Sequence, residues 1–266
     1  MVGSKNFTEQ LILGELIAQR IERATRLPVE RRFYLAGSYL CHQALLAGRI
    51  DIYPEYTGTA LTAILKEKPE GSAAEVYSRV REAYKRRFNL DVFPSLGFNN
   101  TFAIVIRGED ARRLHLGTVS EAARYTPGWR PGFGYEFTER PDGYQGWVKT
   151  YGLKFAAPPR IMDLGLLYRA LAGKQVDIVA GNSTEGLIAA LDMAALEDDR
   201  HYFPPYEAVA IVRDETLVRH PEVGGALAEL AGKISAEEMR RMNYAVDGEH
   251  RDVKEVAREF LRSKGL

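Results

Sequence analysis

The pattern of hydrophobic and polar positions opens with a short apolar strand, a polar turn and a helix. Apolar residues recur at helical spacing over residues 11–21, which is typical of an amphipathic helix. Asn6 and Glu9 resemble a capping box, so we expect the helix to begin near Thr8. Lys5 and Asn6 then lie at the carboxyl end of the first strand, where open α/β sheets bind ligands.

The next segments continue the order of a strand followed by a helix. A second strand is predicted over residues 29–35 and a helix over residues 38–47, with Gly48 ending that helix. A third strand follows at residues 50–53. Together these elements form a β-α-β-α-β unit, which assigns the chain to the α/β class.

An internal repeat relates two distant parts of the chain. ALLAGRIDIYPEYTGTAL (44–61) aligns with ALAGKQVDIVAGNSTEGLI (170–188), and FAIVIRGED (102–110) resembles VAIVRDETL (209–217). In the first pair, a helix ending in Ala-Gly leads to a strand beginning Asp-Ile and then to a small-polar loop. The repeat predicts two similar lobes, each with a ligand-facing loop at the same topological position.

The second pair of repeated segments lies where the chain would cross between the lobes. We therefore interpret residues 101–107 and 206–213 as two hinge strands. Lobe I then comprises residues 1–105 and 208–266, and lobe II is the inserted segment 106–207. Two lobes joined by two strands are expected to close on a ligand by hinge bending.

Composition and charge narrow the choice of function. The 266 residues contain 36 Lys and Arg and 36 Asp and Glu, so no general attraction to nucleic acid is expected. No stretch of 18 consecutive residues is apolar, and the start MVGSKNFTEQ lacks the apolar core of a signal peptide. We expect either a cytoplasmic protein or one whose targeting segment was removed. Cys41 is the sole cysteine and is expected to be buried within a helix.

The sequence lacks the motifs of common enzymes. Five scattered histidines, without HExxH or CxxC, predict no metal site, and no phosphate-binding or dinucleotide-binding glycine motif is present, so no cofactor is expected. An enzyme would need a general base, for which only Glu136 or Glu185 can be nominated. A ligand-sensing domain of a regulator is the other alternative on such a fold.

Several segments carry a specific resemblance. GSKNFTEQLILGEL, DIYPEYTGTAL, FNNTFAI, STEGLI and LEDDRHYFPPYEAVAIVR resemble the signature segments of the glycine betaine/choline/carnitine substrate-binding family of ABC importers, of the OsmF/ProX type. The segments occur in the family's order over nearly the whole chain. The resemblance implies a type II periplasmic-binding fold, in which two α/β lobes are joined by two hinge strands and a ligand lies in the cleft.

The resemblance also implies an aromatic box that binds a quaternary ammonium group by cation–π attraction. Carried over by motif, its members are Tyr56, Phe102, Tyr206 and Asn182. Phe102 stands where Tyr is frequent, and Asn182 stands where relatives usually carry Tyr or Phe. Asn182 therefore favours either weaker binding of a plain trimethylammonium or a larger, more polar solute; alternatively it is only a turn residue.

For the carboxylate of the ligand, the family pattern points to Lys5, Thr59 and Arg140. Lys5 and Arg140 are otherwise ordinary surface charges. Two cations without an anion would repel choline, so the pair predicts that carboxylated betaines bind better than choline. Four further polar residues are expected around this set: Asn6, Asn100, Ser183 and Thr184.

The function predicted from the resemblance is that of an extracytoplasmic solute-binding protein, not an enzyme. Its expected partners are a zwitterionic osmolyte and the transmembrane subunits of an ABC permease, and the chain is expected to be monomeric. Its expected location is the periplasm, or the extracellular face as a membrane-anchored protein. A receptor of the same fold for another amino-acid-like solute or a larger betaine remains the alternative.

Overall fold

The structure is a computed structural model and describes residues 1–68 and 70–266. The strands are β1 (Val2–Gly3), β2 (Arg31–Arg32), β3 (Ile52–Tyr56), β4 (Leu90–Val92), β5 (Phe102–Arg107), β6 (Pro131–Phe133), β7 (Arg160–Ile161), β8 (Ile178–Asn182), β9 (Met193–Leu196) and β10 (Ala208–Arg213). The helices are α1 (Thr8–Thr25), α2 (Ser38–Leu46), α3 (Thr57–Thr59), α4 (Ala73–Phe88), α5 (Gly108–Leu114), α6 (Val119–Ala122), α7 (Tyr135–Glu139), α8 (Tyr144–Tyr151), α9 (Leu164–Ala172), α10 (Leu187–Ala190), α11 (Asp214–Arg219), α12 (Glu222–Ala228), α13 (Ala236–Asp247) and α14 (Val253–Ser263).

Two compact units divide the chain. Unit 1 comprises Met1–Asn100 and Pro205–Leu266, and unit 2 comprises Thr101–Pro204. The lobe boundaries expected from the sequence, after residues 105 and 207, differ from this division. Strand β5 belongs wholly to unit 2 and β10 wholly to unit 1, because each pairs along its length with strands of its own unit. The chain therefore passes between the units before each of these strands and not within them.

Each unit contains one five-stranded mixed sheet among the described residues. The strand order is β2-β1-β3-β10-β4 in unit 1 and β7-β6-β8-β5-β9 in unit 2. In both sheets the third strand of the order pairs parallel on one side and antiparallel on the other. This arrangement confirms the α/β class.

The sheet topology also confirms the internal repeat. Strands β3 and β8, which carry the two Asp-Ile segments, occupy the same position in the order of their sheets. Tyr56 ends β3 opposite Ala208 of β10, and Asn182 ends β8 opposite Phe102 of β5. Equivalent strand ends therefore carry candidate site residues in both units.

The beginning of α1 differs in one respect from its prediction. The helix begins at Thr8, as expected, but the N-cap is Phe7, which makes no side-chain capping bond. The predicted capping box of Asn6 and Glu9 is wrong, because the Glu9 side chain is buried inside unit 1. Packing against the rest of the unit thus decides the role of Glu9, and the local sequence pattern does not.

Other element bounds shift by a few residues. Strand β2 covers only Arg31–Arg32 of the predicted segment 29–35, and β3 extends through Tyr56 beyond the predicted end at 53. Gly48 follows α2 with a φ of 67°, a left-handed conformation that glycine adopts without strain. Cys41 is buried in α2, as expected.

Helix α1 packs against α12, α13 and α14 of the same unit. Its apolar residues Ile12, Leu13, Leu16 and Ile17 are fully buried. The C-terminal segment is thereby joined to the N-terminal helix. None of the helices in residues 1–68 and 70–266 is both long and apolar enough to cross a lipid bilayer.

His42 makes unit 1 sensitive to acid. Its ring is 2% exposed and contacts the rings of Tyr84 and Phe88, with centroids 5.5 Å and 4.7 Å away. Burial lowers the pKa of His42 from 6.5 to about 4. Between these two values the unfolded chain binds a proton that the folded chain rejects, so stability present above pH 6.5 is lost as the pH falls toward 4.

We predict that His42→Leu loses less thermal stability than the wild-type protein when the pH falls from about 7 to about 4.5. The measurement is the unfolding midpoint by differential scanning calorimetry at both pH values. His220→Gln is the control, because His220 is exposed. An equal loss in His42→Leu and wild type would contradict the prediction.

Candidate functional site

The candidate residues of unit 1 lie at the ends of its central strands. Lys5 follows β1, Tyr56 ends β3, and Tyr206 precedes β10. Each of these side chains is at most 5% exposed. The rings of Tyr56 and Tyr206 and the ammonium group of Lys5 therefore lie at the same edge of the sheet.

Lys5 forms a buried ion pair instead of an ordinary surface charge. Its Nζ lies 2.5 Å from Oε1 of Glu55 and donates a hydrogen bond to Ser38 Oγ at 3.0 Å. Glu55, which is fully buried, also accepts hydrogen bonds from the Tyr53 hydroxyl at 3.2 Å and from the Tyr56 backbone N–H at 2.8 Å. The carboxylate thus neutralises the lysine and connects β3 to the segments that follow β1 and begin α2.

The ring of Tyr56 already receives a cation. Lys5 Nζ lies 4.6 Å from its centroid, within the range of a cation–π contact. The Tyr56 hydroxyl donates a hydrogen bond to Glu9 Oε1 at 2.6 Å. Burial, and next the charge of Glu9, raise the pKa of the Tyr56 phenol well above its ordinary value, so the phenol stays protonated.

Tyr206 is held by close backbone packing. Its backbone N–H donates to Asn99 Oδ1 at 2.5 Å and its carbonyl accepts from the Asn100 N–H at 2.9 Å. A Cβ atom added at Gly58 would lie 2.6 Å from Tyr206 Cδ1 and 2.7 Å from the Pro205 carbonyl oxygen. Glycine at 58 is therefore required for the ring of Tyr206 to lie beside the turn that follows β3.

The remaining unit 1 candidates surround this group. Thr59 is buried in α3 directly after β3, and the Asn100 side chain donates to Glu9 Oε1 at 2.8 Å. The backbone N–H of Asn6 donates to the Ala36 carbonyl at 3.1 Å. Asn100 is thus joined to Tyr56 through a shared carboxylate.

Unit 2 brings its own candidates together in a comparable way. Phe102 begins β5, and its ring contacts Phe137 and Phe203 with centroids 4.9 Å and 5.4 Å away. The Arg140 guanidinium carbon lies 5.1 Å from the Phe102 ring centroid. Asn182 is the register partner of Phe102 on β8. A cation therefore lies over a predicted ring in this unit as well.

Arg140 has a carboxylate partner two residues along the chain. Its Nε donates to Asp142 Oδ1 at 2.9 Å and its Nη2 to Oδ2 at 2.5 Å, a bidentate pair of side chains 9% and 1% exposed. Bidentate geometry of this kind is the strongest form of an arginine–carboxylate interaction. The premise that Lys5 and Arg140 are uncompensated cations is wrong, because Glu55 and Asp142 neutralise them.

Asn182 is the last residue of β8 and the first residue of the turn that follows it. It is half-buried, and its Nδ2 donates to Glu185 Oε1 at 3.1 Å, while its carbonyl accepts from the Glu185 N–H at 3.2 Å. Ser183 donates its backbone N–H to the Thr101 carbonyl at 3.0 Å, and Thr184 is fully buried. The side chain of Asn182 thus has a local partner that an aromatic ring would lack.

Three acidic residues that matter here are not among the predicted site residues. Glu55 stands beside Tyr56 in the PEYTG segment and Asp142 stands two residues after Arg140, so the sequence does place them next to predicted members of the site. Glu9 has the spacing of a capping box. In each case the decisive signal is an acidic side chain that is fully or almost fully buried, which occurs only where partners offset the cost of desolvation.

Comparison with known proteins decides the family. A family model described as the substrate binding domain of ABC-type glycine betaine transport system matches residues 1–263. The chain belongs to this family. Its members are the substrate-binding proteins of ABC importers and not enzymes, and this chain is accordingly such a substrate-binding protein.

Relatives and solved structures agree with that assignment. The carnitine transport binding protein OpuCC of Listeria monocytogenes is 36% identical over 98% of this chain and 85% of its own length. The ergothioneine transport permease/ergothioneine binding protein EgtU of Helicobacter pylori is 33% identical over the whole chain, which spans 48% of that protein. A crystal structure of a glycine betaine/carnitine/choline ABC transporter has a TM-score of 0.80 at 36% identity, covering 98% of this chain and 97% of the other. The fold is that of the type II periplasmic-binding proteins.

We predict that the Lys5–Glu55 pair is a strong local determinant of stability. Lys5→Met leaves the Glu55 carboxylate buried without its cation and should lower the free energy of unfolding by about 3–5 kcal/mol. Adding Glu55→Gln removes the stranded charge and should restore part of the loss. The measurement is chemical denaturation followed by circular dichroism.

Lys85→Met serves as the control for this prediction. Lys85 pairs with Asp91 and Asp214 but is 54% exposed, so its removal should cost no more than about 1 kcal/mol. A loss in Lys5→Met no larger than that in Lys85→Met would refute the stabilising role of the buried pair.

Proposed function

We propose that the solute is a carboxylated quaternary ammonium zwitterion, bound by the aromatic box (Tyr56, Phe102, Tyr206 and Asn182) and by Lys5, Thr59 and Arg140. The observation that carries this proposal is the same arrangement in both units. In each, a cation lies over a predicted ring and is paired with a carboxylate. Rings that already attract a protein cation have π faces suited to a solute cation.

The ammonium end of the solute would contact the rings. A trimethylammonium group spreads its charge over methyl groups that cannot donate strong hydrogen bonds, so π faces are better partners for it than carbonyl oxygens. Each good contact contributes about 0.5–2 kcal/mol. Phe102 provides the face without a hydroxyl, which suits a group that needs no hydrogen bond.

The carboxylate end would receive N–H donors. The Lys5 ammonium has three N–H groups, and in the described part of the chain two of them go to Glu55 and Ser38. The third can be donated to the solute. Arg140 presents its N–H donors in a rigid fork, the geometry that matches a carboxylate. Thr59 adds a hydroxyl donor.

Paired cations change the expected size of the preference for betaines. Because Glu55 and Asp142 neutralise the two cations, choline meets no uncompensated positive charge from Lys5 or Arg140. Choline lacks the carboxylate, so its hydroxyl can accept a hydrogen bond from one of these two side chains but not from both. A hydrogen bond to a charged group contributes about 1.5–3 kcal/mol, which corresponds to roughly a 10- to 100-fold difference in affinity.

Asn182 supports a solute that is larger or more polar than glycine betaine. Its half-buried amide offers hydrogen bonds where an aromatic residue would offer a π face. The relatives named for carnitine and ergothioneine are consistent with a larger solute. We further propose that the protein works outside the cytoplasm, as a monomer that delivers the solute to an ABC permease.

We predict that carboxylated betaines bind roughly 10- to 100-fold more tightly than choline. Isothermal titration calorimetry with glycine betaine, proline betaine, carnitine, ergothioneine and choline measures this directly. Arg140→Ala combined with Asp142→Asn, which leaves no carboxylate buried without its cation, should weaken the best betaine and leave choline unchanged. Arg112→Ala is the control in the same unit, since Arg112 forms an exposed pair with Asp192. Equal affinities for choline and the best betaine would exclude the carboxylate site.

Asn182→Tyr tests the fourth member of the aromatic box. A ring at this position should strengthen glycine betaine binding by about 0.5–2 kcal/mol if it contacts the ammonium group. Asn182→Ala, which removes the amide and its hydrogen bond to Glu185 without adding a ring, controls for changes in the turn. Unchanged glycine betaine affinity in a folded Asn182→Tyr protein would identify Asn182 as a turn residue only.

A further inference from the structure

Glu9 is a buried carboxylate that three neighbouring side chains reach as hydrogen-bond donors. Oε1 accepts from the Tyr56 hydroxyl at 2.6 Å and from Asn100 Nδ2 at 2.8 Å, and Oε2 accepts from Asn243 Nδ2 at 3.2 Å. Glu9 itself is 2% exposed. The same carboxylate therefore connects three places in unit 1: Tyr56 at the end of β3, Asn100, and Asn243 in α13.

The three donors favour the ionised form of Glu9. An amide NH₂ group can only donate, so with Asn100 on one oxygen and Asn243 on the other, both carboxylate oxygens act as acceptors. Glu9 also lies in the first turn of α1, an 18-residue helix, where the helix dipole favours negative charge. The Tyr56 phenol consequently donates to a charged acceptor, and such bonds are stronger than neutral ones.

A phenol that donates to a carboxylate has a more electron-rich ring. As the proton is drawn toward Glu9, negative charge accumulates on the phenol oxygen and on the π system, in the way that linked hydrogen bonds polarise one another. Cation–π attraction is electrostatic and depends on the negative charge of the ring face. Any cation that contacts this ring is therefore attracted more strongly, even when it does not contact Glu9 itself.

We propose that Glu9 is a positioning residue that fixes the ring of Tyr56 and raises its attraction for the quaternary ammonium of the solute. The inference rests on the proposed function, and it adds that affinity for the cation depends on a carboxylate behind the ring. Lys5, whose Nζ lies 4.6 Å from the centroid, already uses this ring as a cation acceptor.

A double-mutant cycle tests the proposal. Glu9→Gln keeps the size of the side chain and an acceptor oxygen but removes the charge. We expect it to weaken the binding of the best betaine by about 3- to 10-fold when Tyr56 is present. In the Tyr56→Phe protein, which lacks the hydroxyl, Glu9→Gln should have no further effect. Tyr77→Phe is the control, because the Tyr77 hydroxyl donates to the Val92 carbonyl and not to Glu9, and it should not alter binding.

A spectroscopic readout separates this role from a merely structural one. In protein labelled with ¹³Cζ-tyrosine, the signal that disappears in Tyr56→Phe should shift in ligand-free Glu9→Gln, because the electron density at Cζ follows the hydrogen bond. If Glu9→Gln does not fold, Glu9→Asp replaces it, since it keeps the charge but moves the oxygen away from the phenol by ~1.5 Å. The same direction of change is expected.

The outcomes distinguish the inference from the function. If the wild-type protein binds none of the quaternary ammonium solutes, the proposed function fails and this inference fails with it, whatever the Cζ shift. If betaines bind but Glu9→Gln weakens binding equally with and without the Tyr56→Phe substitution, or leaves the Tyr56 signal unmoved, only the role of Glu9 is overturned.

Discussion

The buried ion pair of Lys5 and Glu55 is the interaction on which the architecture of unit 1 depends. A charge removed from water must be offset by a partner and by hydrogen bonds. Here the offset comes from Ser38 of α2, from the Tyr53 hydroxyl and from the Tyr56 backbone. Satisfying two charges thereby fixes the relative positions of β1, β3 and α2 at the edge of the sheet. The ring of Tyr56 is oriented by the same set of contacts.

Each unit also has an arginine–aspartate pair at the same position in its sheet. At the opposite ends of the central strands, Arg213 lies 3.9 Å from Asp51 in unit 1, and Arg107 lies 2.9 Å from Asp177 in unit 2. These aspartates begin the two repeated strand segments. An arginine at the end of one strand thus pairs with the aspartate before its neighbour in both sheets, and the register that follows aligns Tyr56 and Asn182 as equivalent strand ends.

The paired cations bear on how such a protein discriminates among solutes. In the proposed site, lysine and arginine side chains that carry their own carboxylates would not repel a cationic solute, and selectivity would depend on hydrogen-bond donors that a solute carboxylate can use. Aromatic rings then contribute affinity for the cation in proportion to their electron density. In unit 1 we infer that Glu9, a residue whose local sequence context resembles a helix cap, influences that density.

The sequence by itself determined the α/β class, the two-fold repeat and the family, because helix and strand periods, the Asp-Ile segments and the ordered motifs are local or linear properties. It also named Tyr56, Phe102, Tyr206, Lys5 and Arg140 as candidates. Only the tertiary structure decided that Lys5 and Arg140 are neutralised by Glu55 and Asp142, that Glu9 is buried behind Tyr56, and that β5 and β10 each lie within one unit. Burial and ion pairing depend on which side chains meet after the strands have paired. The order of residue types along the chain does not give the distances between side chains in the folded protein.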